Sequence, residues 1–311
     1  MREIKFGTVD YMAQRWKAQI FTGVLVLITF VSLAVQGLNY GLDFTGGTVI
    51  ELGYQEPIDT AEVRKSLEGS GLTGITVQHF GSNRDVLLRI PPSGETNNAA
   101  LSQKVFDTLA AAVGGKVEMR RVEFVGPQVG KELADQGGLA VLYSVIGILI
   151  YVALRFEWRF SVGAIIATLH DAIICLGVFT VFQLEFDLNV LASILTVIGY
   201  SLNDTIVIFD RVRENFRKVR KGTPLDIMNQ SVNETMSRTV ITAGTVFLVV
   251  LALYLFGGET LRGFSLVMIV GVISGTFSSI YIASNVAILL GVSPANLALV
   301  KKGGDNVGAQ V

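Results

Sequence analysis

Half of the 311 residues are hydrophobic and 16% are charged, with a mean hydropathy of +0.54, whereas a soluble domain carries roughly a quarter charged residues. This composition excludes an ordinary water-soluble protein, and the balance of 25 basic against 26 acidic side chains leaves no cationic field to attract nucleic acid. A single cysteine, Cys175, with only two histidines excludes a disulfide framework and a zinc site, so we expect neither a metal nor another cofactor.

The apolar residues are gathered into six runs, most of them near the ~20 residues that a helix needs to cross a bilayer. The predicted spans are 18–36, 137–154, 161–183, 188–209, 238–256 and 264–290. The first run could instead be a cleaved signal, since Arg15 and Lys17 precede it. It is longer than the ~7 to 15 apolar residues of a signal and lacks a small-x-small cleavage pattern. We therefore predict an uncleaved anchor.

The basic residues flank the spans in a regular way. They precede the first span, lie between the second and third, follow the sixth, and are densest at 211–221, between the fourth and fifth. Basic loops stay on the cytoplasmic side of a membrane protein, so both termini are predicted to be cytoplasmic. The cytoplasmic parts are then residues 1–17, a basic loop at 210–237 and a tail at 291–311. Residues 37–136 lie on the far side.

Residues 37–136 have soluble character and show six elements in sequence. We predict strand 48–52, helix 59–68, strand 74–80, strand 86–90, helix 99–113 and strand 117–124. This βαββαβ order is that of the ferredoxin-like arrangement, in which two helices cover one face of a four-stranded antiparallel sheet. We expect the other face to be free for a partner. The fold class is thus a polytopic α-helical membrane protein with six spans and one α+β domain outside.

The outside domain opens with the glycine-rich sequence GLDFTGGT at 41–48. Glycines let backbone N–H groups approach a phosphate, but no Gly-Lys-Ser/Thr follows and the glycines lead into a strand rather than a helix. We interpret the segment as a tight turn between the first span and the first strand.

Charged residues inside a span cost at least ~2.5 to 3.5 kcal/mol on insertion scales, so each one is a candidate functional residue. His170 and Asp171 lie in the third span, Asp204 in the fourth, and Arg238 at the start of the fifth. Polar residues recur beside them at helical spacing, along one predicted face of each helix. The supporting candidates are Tyr200, Ser201, Asn203 and Thr242, with Ser274 and Ser278 on a polar face of the sixth span. Gly271 and Gly275 predict close helix packing.

The carboxylate of Asp204 and the guanidinium of Arg238 suit proton coupling. Burial strengthens proton binding by a carboxylate and a neighbouring arginine weakens it, so a movement that changes their separation would switch proton binding. A membrane potential supplies ~2.3 kcal/mol per charge per 100 mV, and no nucleotide-binding motif offers another energy source. Two structural alternatives stay open: Arg238 could extend to the interface, and His170 with Asp171 could be a structural pair.

Five motifs resemble the SecD/SecF family of protein-export membrane proteins, in the resistance-nodulation-division superfamily. They are GLDFTGGT (41–48), FVGPQVG (124–130), RFEWRF (155–160), GYSLNDTIV (199–207) and FDRVREN (209–215). The resemblance implies a bacterial inner-membrane subunit, not an enzyme, whose outside domain is periplasmic. Its implied partners are SecD, the SecYEG channel and translocating preproteins, and its implied energy source is the proton-motive force. Asp204 and Arg238 match the family's coupling residues.

Other function classes compete with this reading. A small-molecule proton exporter shares the architecture, although here the outside loop is single and only about a hundred residues long. An intramembrane aspartyl protease would use Asp171 and Asp204 as its catalytic pair. Their predicted depths differ by ~7 to 8 Å, which argues against a shared proton. A structural scaffold is the third alternative.

Overall fold

The structure is a computed structural model that describes residues 8–92, 98–112, 116–219 and 222–293. A short 3-10 turn at Met12–Gln14 precedes the first helix. The elements in chain order are α1 (Arg15–Gln36), β1 (Asn39–Tyr40), α2 (Leu42–Thr45), β2 (Gly47–Tyr54), α3 (Thr60–Gly69), β3 (Thr76–Phe80), β4 (Ser82–Ile90), α4 (Asn98–Ala112), β5 (Val117–Val125), α5 (Pro127–Arg155), α6 (Trp158–Val181), β6 (Glu185–Phe186), α7 (Leu188–Lys218), α8 (Pro224–Phe256), α9 (Glu259–Ser278) and α10 (Ser284–Leu289), with a π-helical turn at Ser279–Ala283.

Within the described residues, six helical segments are long and apolar enough to cross a membrane. They are α1, α5, α6, α7, α8 and the continuous segment from α9 to α10. The six-span architecture predicted from the sequence is therefore confirmed. Of the predicted tail, residues 294–311 lie outside the described part of the chain.

The basic loop predicted at 210–237 is mostly helical, which corrects the sequence-based division. Helix α7 continues to Lys218, and α8 begins at Pro224 after a capping box between Thr223 and Asp226. Ion pairs at helical spacing accompany the extension of α7: Arg213 with Asp210 at 3.3 Å and Lys218 with Glu214 at 2.5 Å. An apolar run marks the length that can lie in lipid, whereas charged residues can extend the same helix beyond it.

The outer domain has the predicted ferredoxin-like topology. Its strands lie in the order β3–β4–β2–β5, and every neighbouring pair is antiparallel. Asp59 caps α3 by accepting a hydrogen bond of 2.9 Å from the backbone N–H of Ala61. Helices α3 and α4 cover one face, where Ile50, Leu88 and Val105 are fully buried in a common apolar core.

The second face of the sheet is not free, contrary to the sequence-based expectation. It lies over the outer ends of the spanning helices and encloses a cleft of about 640 Å³ with them. Arg121 on this face donates a hydrogen bond of 3.2 Å to Thr260 at the start of α9. The reason is the shortness of the connections, since Gly126 alone separates β5 from α5.

The spanning helices pack around α6, α7 and α9. Gly271 and Gly275 of α9 lie against α7, where a Cβ atom at Gly271 would be 2.2 Å from Cγ2 of Val197. A Cβ atom at Gly275 would be 3.2 Å from Cβ of Ser201. These close approaches position the polar side chains of α7 and α9 beside those of α6.

Candidate functional site

Asp204 lies on α7 in the interior of the helix bundle. It is 2% exposed, and its Oδ2 has no hydrogen-bond partner within the described chain. The hydroxyl of Tyr200, one turn earlier on α7, and the hydroxyl of Thr205 are also buried and unpaired there. An unpaired buried polar group costs roughly 1 to 3 kcal/mol. Unpaired buried groups of this kind require an explanation, and Asp204 is therefore a candidate functional residue.

Arg238 lies on α8 with an exposed side chain. The charge of Arg238 acts on Asp204 through space, but no ion pair joins the two in the part of the chain that the structure describes. A neighbouring ion pair joins Arg211 to Glu234 at 2.5 Å. Asp204 and Arg238 are thus electrostatically linked without direct contact.

The polar stripe predicted along one face of α7 is divided between two faces. Ser201 and Asp204 are buried, Tyr200 is half-buried, and Asn203 is exposed. On α8, Thr242 is half-buried and Arg238 is exposed. Sequence spacing did not reveal this division, because residues three and four positions apart lie on the same broad face of a helix. Only the packing of the helix decides which part of that face is buried. The exposed polar groups are costly against hydrocarbon, so this surface requires protein or water.

Asp171 is the centre of a second polar cluster and is 0% exposed. It accepts hydrogen bonds from Ser201 at 2.5 Å, from Ser274 at 2.5 Å and from Ser278 at 2.6 Å. Nδ1 of His170 lies 3.1 Å from its Oδ1. The cluster joins α6, α7 and α9. The sequence indicated Ser274 and Ser278 by their four-residue spacing but did not show what they would bind.

Asp171 and Asp204 do not form a hydrogen-bonded pair. The bonds of Asp171 are made by the three serines and His170. The Oδ2 atom of Asp204 is buried without a hydrogen-bond partner within the described residues. A catalytic pair that shares a proton needs both carboxylates in contact. The geometry gives no support to the aspartyl protease alternative.

The glycine-rich segment 41–48 forms a junction between the outer domain and the spanning helices. It contains the one-turn helix α2, not the simple turn predicted from the sequence. Asp43 Oδ2 accepts a hydrogen bond of 2.9 Å from the backbone N–H of Leu188, the first residue of α7. The backbone N–H of Gly41 donates to the carbonyl of Phe186 at 2.8 Å, where β1 pairs with β6. The domain is thereby attached to the start of the helix that carries Asp204.

Two half-buried carboxylates accompany this junction. Glu185 makes an ion pair of 2.7 Å with Arg89 of β4. Burial raises the pKa of Glu185, and the positive charge of Arg89 opposes that rise. Burial likewise raises the pKa of Asp187, whose Oδ1 accepts a hydrogen bond of 2.7 Å from the backbone N–H of Val190.

Two glycine motifs pack backbone against backbone at the same junction. Gly46 has a φ of +65° and Gly47 a φ of +117°, a region that favours glycine. A Cβ atom at Gly130 of α5 would lie 3.0 Å from the backbone nitrogen of Gly46. The segments GLDFTGGT and FVGPQVG therefore form a single connection between α2 and α5.

Comparison with known proteins identifies the family. Residues 105–293 match the family described as protein export membrane protein SecD/SecF, C-terminal, and residues 31–58 match the SecD/SecF GG motif. The chain belongs to the SecD/SecF family. It is 50% identical to protein translocase subunit SecF of Pseudomonas aeruginosa over 94% of this chain and 95% of the relative. It is 48% identical to the subunit of that name from Vibrio alginolyticus, over 93% and 92% of the two chains.

The fold of the chain resembles that of a solved SecDF. The crystal structure of SecDF, a translocon-associated membrane protein from Thermus thermophilus, matches with a TM-score of 0.81 at 34% identity. The match covers 92% of this chain and 39% of that longer chain. A second SecDF structure, in a super-membrane-facing form, matches with a TM-score of 0.67.

The two SecD/SecF family matches cover the two structural centres described above. The GG-motif match includes Asp43, Gly46 and Gly47 at the junction. The C-terminal match includes Asp171, Asp204 and Arg238. The described residues contain no group of three His, Cys, Asp or Glu side chains that could hold a metal ion.

Proposed function

We propose that this chain is the SecF-type subunit of a proton-driven complex that assists preprotein translocation across the bacterial inner membrane. Its partners in this proposal are SecD and the SecYEG channel. The relatives named protein translocase subunit SecF support a role in protein translocation. The SecDF structures support SecD as the partner. Asp204 and Arg238 supply the proton coupling.

The observation that carries the proposal is the buried, unpaired Oδ2 of Asp204 beside the charge of Arg238. An ionised Asp204 attracts the guanidinium of Arg238, and a protonated Asp204 does not. The attraction is strong in a water-poor interior because the effective dielectric constant is low. Binding and release of a proton would therefore change the preferred distance between α7 and α8.

The exposed face of α7 and α8 supports assembly with SecD. Asn203 and Arg238 are exposed in this chain, and exposed groups of this kind are costly in lipid. A second bundle of spanning helices would cover them and exclude hydrocarbon from the neighbourhood of Asp204. We propose that SecD provides this bundle.

The proposal also assigns a task to the outer domain. A shift of α7 would be transmitted through the hydrogen bond between Leu188 and Asp43 and through the pairing of β1 with β6. The sheet would then move with the helix that responds to protons. The periplasmic position of the domain and the cytoplasmic position of both termini belong to this proposal and rest on the distribution of basic residues.

Asp204→Asn tests the proposal, because it keeps the shape of the side chain and removes its proton exchange. Preprotein translocation should be measured with and without a proton gradient in membranes that contain the variant and SecD. We expect normal assembly and loss of the gradient-dependent part of translocation. Asp210→Asn is the matched control, since Asp210 lies on the same helix and pairs with Arg155 at the surface. Full gradient-dependent translocation by Asp204→Asn would contradict the proposal.

A further inference from the structure

His170 is a buried histidine with one ring nitrogen bound and the other unbound. The residue is 8% exposed. Its Nδ1 lies 3.1 Å from Oδ1 of Asp171, and its Nε2 is buried with no hydrogen-bond partner in the described chain. A histidine whose Nδ1 is fixed by a buried carboxylate has its other nitrogen oriented as a proton acceptor.

Hydrogen-bonding groups surround the carboxylate of Asp171. An ionised carboxylate only accepts hydrogen bonds, at about four positions. The hydroxyls of Ser201, Ser274 and Ser278 donate to Asp171, and Nδ1 of His170 is a fourth donor in the tautomer that carries its proton there. In that tautomer Nδ1–H donates to Asp171, and Nε2 keeps its lone pair.

The charge balance points to the same ring. Within the described residues His170 is the basic side chain in contact with Asp171, and neither lysine nor arginine pairs with Asp171 there. A buried carboxylate without a cation is unfavourable. Protonation of the His170 ring would supply that cation.

We propose that His170 is a second proton-binding site among the spanning helices, with Asp171 as its positioning residue. A proton adds to the lone pair of Nε2 and forms an imidazolium ion, which Asp171 neutralises through Nδ1–H. Loss of the same proton restores the neutral ring. The three serines hold Asp171 in place from α7 and α9. The use of this site in translocation rests on the proposed function, whereas proton binding by His170 does not.

Helix α6 and the elements packed against it carry other titratable groups. They are Cys175 on α6, Tyr200 and Asp204 on α7, Tyr281 in the π-helical turn, Tyr143 and Tyr151 exposed on α5, and the charged residues Arg15, Lys17, Asp135, Arg155, Asp210 and Arg262 toward the helix ends. Asp204 is the acidic group among them that lies one helical turn from Ser201. A proton gained at His170 therefore changes the electrostatic field at Asp204.

The chain itself provides a clean test, because it contains only two histidines. His79, the other one, is exposed in the outer domain. The complex with SecD, with ¹⁵N-labelled histidine and in lipid nanodiscs, should be titrated by NMR. Ring signals that persist in His79→Gln and disappear in His170→Gln belong to His170. We expect them to move from the imidazolium to the neutral position between pH 5 and 8.

The positioning role has its own readout in the same experiment. Asp171→Asn removes the negative charge at Nδ1, and the ratio of imidazolium to neutral ring at a fixed pH should fall by at least about tenfold. Ser274→Ala should lower this ratio by a smaller factor. It replaces Asp171→Asn in the experiment if Asp171→Asn does not fold. A His170 ring that keeps one protonation state from pH 5 to 8 would overturn the proposal. A titration unaffected by both variants would overturn the role of Asp171.

The two proposals fail in different ways. If Asp204→Asn keeps gradient-dependent translocation while the His170 signals still titrate, the proposed function is wrong and the second site stands. If Asp204→Asn loses that translocation while His170 does not titrate, the second site is wrong and the proposed function stands. Translocation by His170→Gln then measures what the second proton-binding site contributes to translocation. We expect the pH dependence of translocation to shift in this variant.

Discussion

Asp43 in the outer domain accepts, through Oδ2, a hydrogen bond of 2.9 Å from the backbone N–H of Leu188 at the start of a spanning helix. The same helix, α7, carries Asp204 in the bundle interior. The N-terminal N–H groups of a helix lack partners within the helix, and a carboxylate is the side chain that satisfies them best. This hydrogen bond connects the soluble domain directly to the helix with the candidate proton site.

Asp43→Ala should weaken this connection. We expect a loss of about 0.5 to 2 kcal/mol of stability, as for other helix caps, together with a reduced gradient-dependent translocation. Asp59→Ala is the matched control because Asp59 caps α3 within the outer domain, away from α7. Thermal unfolding and translocation assays on both variants make the comparison. Equal losses of translocation in the two variants would show that the junction transmits nothing.

Glu185 should give the junction a dependence on pH. Its pKa is raised, so the folded state binds the proton at a higher pH than the unfolded state. At neutral pH, ionised Glu185 therefore lowers the free energy of unfolding. This destabilisation disappears as the pH falls through the raised pKa of Glu185 toward the ordinary pKa of glutamate. One proton contributes at most about 1.4 kcal/mol per pH unit.

Glu185→Gln should remove this contribution. As the pH falls from 7 to about 4.5, the free energy of unfolding of the wild type should rise relative to that of the variant. Unfolding curves at several pH values measure the difference. Glu56→Gln is the control, since the side chain of Glu56 is 79% exposed. A difference between wild type and Glu185→Gln that stays constant with pH would contradict the assignment.

Gly271→Ala should disturb the contact between α9 and α7. The added methyl group would lie 2.2 Å from Cγ2 of Val197, and overpacking of this kind costs typically about 1 to 3 kcal/mol. Gly23→Ala on α1 is the control, because no atom lies within 4 Å of the added group. It should be neutral or slightly stabilising. Thermal unfolding of the two variants measures the effect, and equal stabilities would be inconsistent with close packing at Gly271.

Arg238→Gln and Arg238→Lys separate charge from shape. If the guanidinium acts on Asp204 through its charge, lysine should retain part of the gradient-dependent translocation and glutamine should lose it. A translocation rate that is about tenfold lower corresponds to the loss of only about 1.4 kcal/mol of interaction between Arg238 and Asp204. Arg217→Gln, at the basic end of α7, should have little effect. A fully active Arg238→Gln would leave Asp204 without its proposed partner.

The sequence predicted the outer domain well because its signals are local. The apolar runs of β2 and β4 and the cap at Asp59 lie within short segments, and the order of six elements left one common topology. What lies opposite the second face of the sheet was not predictable. It depends on how the one-residue connection at Gly126 and the pairing of β1 with β6 orient the domain.

The candidate sites show the same division. Charges in apolar runs identified His170, Asp171, Asp204 and Arg238, since such residues are rare in spanning helices. Their pairing did not follow from spacing: Asp171 is bound by serines from two other helices, and Arg238 makes no direct contact with Asp204 in the described chain. Contacts between helices depend on their rotation and depth, which a linear pattern leaves free.

By itself, the sequence determined the number of spans, the order of the outer elements and the identity of the costly polar residues, because hydropathy and turn signals act over a few neighbouring residues. The tertiary structure alone decided that Asp43 binds the first N–H group of α7, that Asn203 is exposed while Asp204 is buried, and that three serine hydroxyls and the ring of His170 contact Asp171. These relationships join residues as far apart as 145 positions. They form only when close helix packing brings distant segments of the chain together.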